Sequence, residues 1–222
     1  MNARARFQST KTYDVLAAAP LLLFYGFSLA GLEPQFDAAL RLNPVWLSAL
    51  QLTSLASFAF YLALVIALVF LRRMPVAKSD RLWPRALALG GSIALLVLPW
   101  LPAAPMTTAS IAASALLTAG GTIAELFILA WLGRSFSLMP EARALVTRGP
   151  YRHIRHPLYL SGLVIALGAM LQFRQPWSLL VVLLTFALQI GRMHYEEQVL
   201  GRTFPDYAAY KARSWRLIPG LY

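Results

Sequence analysis

The sequence has no cysteine, three histidines and only nine acidic residues in 222. Without cysteine there is no disulfide framework, no thiolate zinc site and no cysteine nucleophile. Three histidines and nine carboxylates leave too few ligands to expect a metal site. Charge is scarce as well: 13% of residues are charged, against about a quarter in soluble domains. The hydrophobic share is 59%. It is gathered into long runs, which is the pattern of a membrane protein rather than of a rich soluble core. No strand-like run leads into G-x-G-x-x-G, so a soluble dinucleotide-binding domain is not expected.

Six apolar segments stand out, at roughly 15–32, 45–71, 85–102, 109–132, 157–173 and 177–193. The net charge of +11 would suggest nucleic acid in a soluble chain, but here its placement argues otherwise. With a cytoplasmic N-terminus, only Arg41 and Arg174 of the 20 Lys and Arg fall in outer loops. The rest, from Arg4 and Arg6 through Arg81 to Arg216, fall on the inner side. That bias orients membrane helices. The expectation is an all-α, polytopic helical membrane protein of about six spans in the plasma (inner) membrane. Both termini are cytoplasmic and nucleic acid is not a partner. The first segment has the outline of a signal peptide, with Ser28–Gly31 loosely like a cleavage site. Its apolar run of about 18 residues is long for a signal core, so it is read as a retained anchor. No feature sets an oligomeric state.

Composition divides the chain. Residues 1–132 form a four-span region expected to face lipid and acceptor. Its pairs Gly90-Gly91 and Gly120-Gly121 suit close helix contacts better than phosphate binding. Residues 133–222 hold the clustered polar and aromatic residues. The last two segments make a helical hairpin whose open ends share the cytoplasmic face. The loop before it and the tail after it should therefore meet there, around a pocket.

Within RALVTRGPYRHIRHPLY (143–159), Gly149-Pro150 signals a turn, and Pro157 suits the first position of a helix capped near His156. Such an end favours an anion through its free backbone N–H groups and dipole. Arg155 and His156 add donors, and Tyr159 lies one turn further in. In GRMHYEEQVLGRTFPDYAAY (191–210), Arg192 and Glu196 share a helix face, Glu197 points about 100° away, and Tyr207 and Tyr210 can stack or hydrogen-bond. Plainer roles stand beside these: Arg152 and Arg155 as positive anchors, Arg192–Glu196 as a helix ion pair, Tyr151 and Tyr159 as interfacial aromatics. Glu125 stands apart, inside the fourth segment about two turns from its end, where an ionised group needs a partner or water. It is expected to line the acceptor cavity or to pair with a basic residue such as Arg134.

Taken together, R-A-L-V-T-x-G-x-Y-x-x-x-R-H-P-x-Y, then R-x-x-x-E-E, then F-x-x-Y-x-x-Y resemble the isoprenylcysteine carboxyl methyltransferases and the related phospholipid methyltransferases. These are integral membrane enzymes that use S-adenosylmethionine. The resemblance covers residues 134–219 and makes this part the methyltransferase core of the 133–222 region. It implies cofactor contacts at Arg143, Ala144, Leu145, Val146, Tyr151, His156, Pro157, Tyr159 and Glu196, with Arg155 beside them. It also implies that Arg192 is the catalytic residue at the methyl acceptor. Animal members carry His where Arg143 stands, and a cofactor-contacting Gln where only apolar residues around Phe136 occur here.

The chemistry of that cofactor suits these residues. Arg155 and His156 match a carboxylate, Glu196 an ammonium or ribose hydroxyls, and the two tyrosines an adenine or a sulfonium. A carboxylate acceptor is already ionised and would be oriented by Arg192, with Glu125 as a further acceptor-binding residue. An amine or thiol would first lose a proton, for which His194 and Glu197 are candidates. The expected activity is methylation of a lipidic or prenylated acceptor, an isoprenylcysteine carboxylate first, with a phospholipid amine or a small thiol as alternatives. Outside that class stand an NADPH-dependent membrane reductase and a non-catalytic membrane protein.

Overall fold

The computed structural model describes residues 10–78, 82–137, 139 and 141–222. Arg4, Arg6 and Arg81, used above to orient the chain, lie outside them. In chain order the elements are α1 (Lys11–Ala17), α2 (Ala19–Ala30), α3 (Glu33–Leu40), α4 (Val45–Leu71), β1 (Ala77–Lys78) and α5 (Leu82–Ile93), which runs into a 3-10 segment (Ala94–Trp100). Then come α6 (Thr108–Leu132), β2 (Glu141–Ala142), α7 (Pro157–Met170), α8 (Trp177–Thr203) and α9 (Tyr207–Ala212).

Local sequence explains most helix starts. The Thr10 side chain accepts from the Tyr13 amide and opens α1. Thr107 and Ser110 form a reciprocal capping box at α6. Pro157 begins α7 at the expected residue, where its missing N–H costs nothing.

The chain is an integral membrane protein built of apolar helices. Among the described residues four are long and apolar enough to cross a bilayer: Val45–Leu71, Trp83–Trp100, Thr108–Ser135 and Trp177–Thr203. Large side chains such as Phe60, Trp100, Phe127 and Leu180 point outward from them, as lipid contact requires. The expected count of six is corrected on two points. The first segment is not one straight span: Lys11–Ala17 and Leu22–Leu40 meet at a 55° bend, and counting that pair as one span brings the total to five. Pro20, at the start of α2, lies in the break. The fifth segment yields α7, whose 14 residues extend about 21 Å, short of a hydrocarbon core of about 30 Å.

Small residues bring α6 and α7 together. A Cβ on Gly121 would stand 2.7 Å from Ile165 Cγ1 and 3.1 Å from the Ser161 carbonyl, and one on Gly168 would stand 2.9 Å from the Thr118 amide. At that approach the Ser114 hydroxyl donates to the Gly168 carbonyl at 2.9 Å. Ser54 and Thr118 hydroxyls meet at 2.7 Å and join α4 to α6. Of the expected glycine contacts, Gly91 packs on Gln189 and Gly90 lies in ordinary contact with Leu188, whereas Gly120 faces open space.

Both ends of the assembly are tied by backbone. At one, Ala104 N donates to Gln172 O and Arg174 N to Pro102 O. At the other, β1 and β2 pair antiparallel through Ala77–Ala142 and Lys78–Glu141. The C-terminal tail runs beside the loop before α7: Trp215 N donates to His153 O, Arg155 N to Trp215 O and His156 N to Arg216 O. The loop and the tail therefore meet, as the hairpin arrangement requires.

Candidate active site

A cavity of about 920 Å³ opens between α2, α4, α6, α7 and α8. It reaches from the 141–146 loop and α9 at one end to Pro99 and Gln172 at the other. Every residue expected to hold cofactor or acceptor borders it except Pro157, which is buried at the first turn of α7; the two proton-accepting candidates, His194 and Glu197, do not. Arg143, Ala144, Leu145, Val146, Tyr151, Arg155, His156, Tyr159, Arg192, Glu196 and Glu125 are thus gathered around one space, although they come from four separate stretches.

The centre of the polar wall is Glu196. Tyr159 Oη donates to its Oε1 at 2.7 Å, and Arg192 Nε donates to the same oxygen at 2.9 Å. The Arg192 guanidinium also lies over the Tyr159 ring, 5.3 Å from its centroid. His156 stands edge-on to Tyr159, with its Nδ1 4.0 Å from Glu196 Oε2. The cap residue and first turn of α7, with two positions one turn apart on α8, produce this cluster. It leaves Glu196 Oε2 with no hydrogen-bond donor among the described residues.

Beside it the 144–146 segment crosses the cavity wall in extended, irregular conformation. Among the described residues, no hydrogen bond engages the backbone of Ala144, Leu145 or Val146. Three consecutive half-buried peptide groups without partners suit a ligand with a polar, hydrogen-bonding edge. The Tyr207 hydroxyl is likewise buried on the cavity wall, with no partner among the described residues. Tyr210 Oη instead donates to the Tyr151 carbonyl at 2.7 Å, and burial pushes its phenol up to about 12. Burial also raises the Tyr151 phenol. Both therefore remain protonated at neutral pH.

Arg155 borders the cavity, but its guanidinium is turned to the tail. Nε donates to Glu197 Oε1 at 3.1 Å, and Nη1 donates to the Lys211 and Ser214 carbonyls. Glu197 in turn meets His156 Nε2 at 3.1 Å, Arg216 Nε at 3.2 Å and Lys211 Nζ at 3.5 Å. Adjacent carboxylates on α8 are thus divided: Glu196 faces the cavity and Glu197 clamps loop and tail. The expectation that Glu197 or His194 takes a proton from an acceptor is corrected on geometry. Neither borders the cavity, and His194 is exposed and bonded to Gln198 at 2.8 Å.

Glu125 borders the cavity from α6 next to the Tyr61 hydroxyl, and Tyr61 in turn meets Tyr25. The pairing with Arg134 does not form: Arg134 Nε donates to the Leu71 carbonyl at 2.9 Å. Among the described residues no cation stands within ion-pair distance of Glu125. Gln189 Oε1, on the same cavity, is also buried with no partner among the described residues. No group of three or more His, Asp or Glu close enough to hold a metal occurs among the described residues.

Sequence reasoning missed Tyr25, Tyr61 and Gln189, which look like ordinary span residues. It also missed Asp14, although an acid inside an apolar stretch is a usable signal. The Asp14 carboxylate is buried between Arg72 Nε at 2.9 Å and Arg143 Nη2 at 2.8 Å.

Residues 106–207 match the model of the phospholipid methyltransferase family. The chain is 38% identical over 80 residues to the cobalt-zinc-cadmium resistance protein CzcN of Cupriavidus metallidurans, covering 35% of this chain and 36% of that protein. It is 36% identical over 84 residues to the nickel-cobalt-cadmium resistance protein NccN of Alcaligenes xylosoxydans xylosoxydans, covering 36% and 38%. The matched stretch thus spans little more than a third of these curated relatives. The stretch matched by that family model contains Glu125, the Arg143–Val146 segment, Tyr159, Arg192 and Glu196, and over it this integral membrane chain is similar to the phospholipid methyltransferases.

Proposed function

We propose that the protein is an S-adenosylmethionine-dependent membrane methyltransferase acting on a nucleophile carried by a lipid. The observation that carries this reading is the single cavity on which the family-matched Tyr159, Arg192 and Glu196 meet the unpartnered backbone of Ala144–Val146. Those groups fit the cofactor. The free peptide edges suit its adenine, the open Glu196 Oε2 its ammonium or ribose, and the Tyr151 and Tyr159 rings its sulfonium. When bound, the cofactor supplies an electrophilic methyl group. The chain supplies alignment and a site shielded from water by packed helices.

Arg192 has two jobs in this reading. Its Nε holds Glu196, and its remaining donors orient the acceptor. For an isoprenylcysteine carboxylate that orientation is enough, because the carboxylate is already ionised. The acceptor enters sideways from the bilayer, and the loop-and-tail face with both termini lies in the cytoplasm of the plasma membrane.

A phospholipid amine is the second reading, and Glu125 favours it. A carboxyl with no cation beside it among the described residues can ionise against an ammonium head, whereas a carboxylate acceptor gains no charge pairing from it. The test of the enzyme class is calorimetric titration of the detergent-purified protein with S-adenosylhomocysteine and with NADPH. Micromolar binding of the first alone supports the methyltransferase. Binding of NADPH alone moves the protein to the membrane reductases, and binding of neither favours a non-catalytic role.

A further inference from the structure

The 144–146 segment has no backbone hydrogen bond of its own among the described residues, so its position depends on what anchors the residues before it. Two anchors exist. One is the two-residue pairing of β2 with β1, extended by Val76 N donating to Ala142 O at 2.7 Å. The other is Arg143, whose side chain is wholly buried. Its Nη2 donates to Asp14 Oδ1 at 2.8 Å and to Glu141 Oε2 at 2.6 Å, and its Nη1 donates to the Arg73 carbonyl.

Glu141 lies two residues away on the same segment, so it moves with the segment and cannot locate it. Asp14 belongs to α1, 129 residues earlier in the chain. It is also held from the other side by Arg72, whose Nε and Nη2 donate to the Asp14 side chain and carbonyl at 2.9 and 3.1 Å. Lys11 Nζ stands 3.7 Å away. Asp14 is therefore the carboxylate that lets Arg72 and Arg143 lie side by side, and it joins the segment to the membrane-embedded body. Removing it leaves two buried guanidinium groups facing each other, and the mobile partner is the loop residue Arg143.

We propose that Asp14 is a positioning residue for the cofactor side of the cavity: by holding Arg143 it sets where the backbone of Ala144, Leu145 and Val146 stands. This rests on the reading of that cavity as an S-adenosylmethionine site. Asp14 itself does not border the cavity, so its effect passes through Arg143.

The experiment compares the purified wild type with Asp14→Asn, Arg72→Gln, Arg143→Gln and the Asp14→Asn/Arg143→Gln double variant. S-adenosylhomocysteine affinity and amide hydrogen exchange are both measured. Asp14→Asn should weaken S-adenosylhomocysteine binding about tenfold, the scale on which displaced positioning groups act. It should also speed exchange of the Val76 amide, which donates to the Ala142 carbonyl beside Arg143, about tenfold. The double variant should bind no worse than the weaker single one, since both substitutions break one linkage. Arg72→Gln lowers the unfolding temperature but keeps affinity within about twofold, because Arg143 retains its carboxylate. If Asp14→Asn does not fold, Asp14→Glu, which keeps the charge and shifts it by one methylene, takes its place, with the same sign and a smaller effect.

Unchanged exchange of the Val76 amide in the Asp14 variant overturns the proposal whether or not a cofactor binds. So does an equal loss of affinity in Arg72→Gln, which would make the effect one of general stability. A wild type that binds no S-adenosylhomocysteine defeats the proposed function instead. The exchange measurement still decides the role of Asp14 in holding the segment.

Discussion

The Tyr159 hydroxyl of α7 donates to Glu196 of α8 at 2.7 Å, and that one contact joins the two halves of the family-matched sequence across 37 residues. Its acceptor oxygen also takes Arg192 Nε. The three side chains therefore respond to substitution as one unit, and their effects are not additive.

Glu196→Ala should weaken S-adenosylhomocysteine binding about tenfold, corresponding to the loss of roughly one charge-assisted hydrogen bond. Calorimetry on the purified protein checks it. An unchanged affinity would remove Glu196 from the cofactor's contacts. Arg192→Ala should instead reduce methyl transfer at saturating cofactor far more than it reduces cofactor affinity, and equal losses in both would move Arg192 to the cofactor side.

Glu197→Gln should destabilise the protein by about 3 kcal/mol, the scale of breaking a buried ion pair from one side. Arg155, His156, Lys211 and Arg216 all converge on this carboxylate. The loss should begin at the tail, so limited proteolysis should cut near residues 213–217 before any helix is digested. Uniform cleavage, or none, would mean that the backbone pairing with His153 and His156 holds the tail alone.

Gly149→Ala should lower stability by about 2 kcal/mol or more, because two costs coincide. Its φ is +58°, and a Cβ there would lie 2.4 Å from the Trp131 ring. Thermal unfolding in detergent measures it. Gly120→Ala is the control, since a Cβ at Gly120 meets nothing within 4 Å; equal losses at both positions would refute the steric account.

Glu125→Gln separates the two acceptor readings. With an amine-bearing lipid the substitution should raise KM about tenfold, by removing the carboxyl that can ionise against the ammonium. With a prenylcysteine carboxylate it should leave KM unchanged or lower it. Parallel assays on both acceptors with wild type and variant give the answer.

Much of the site was legible because it is built from local spacing. Arg192 and Glu196 share a face at i, i+4 wherever α8 packs, and Pro157 starts a helix whatever lies beside it. The division between Glu196 and Glu197 follows from the same period. The partners of these residues were not legible. Arg155, expected at a cofactor carboxylate, is drawn to Glu197 and the tail carbonyls, because a helix face fixes direction and not what stands opposite.

The sequence by itself determined that this is an all-α membrane protein and where α4, α7 and α8 begin. Long apolar runs, prolines, caps and helical spacing act within a few residues of themselves. Only the tertiary structure decided that the first segment bends at Pro20 and that α7 falls short of a full span. It also decided that Asp14 reaches Arg143, that Glu125 is left without Arg134, and that the tail lies along the loop before α7. Those contacts join residues from tens of positions to more than a hundred apart. No local periodicity encodes them, and burial of the charged groups forced each to find its partner only after the helices had packed.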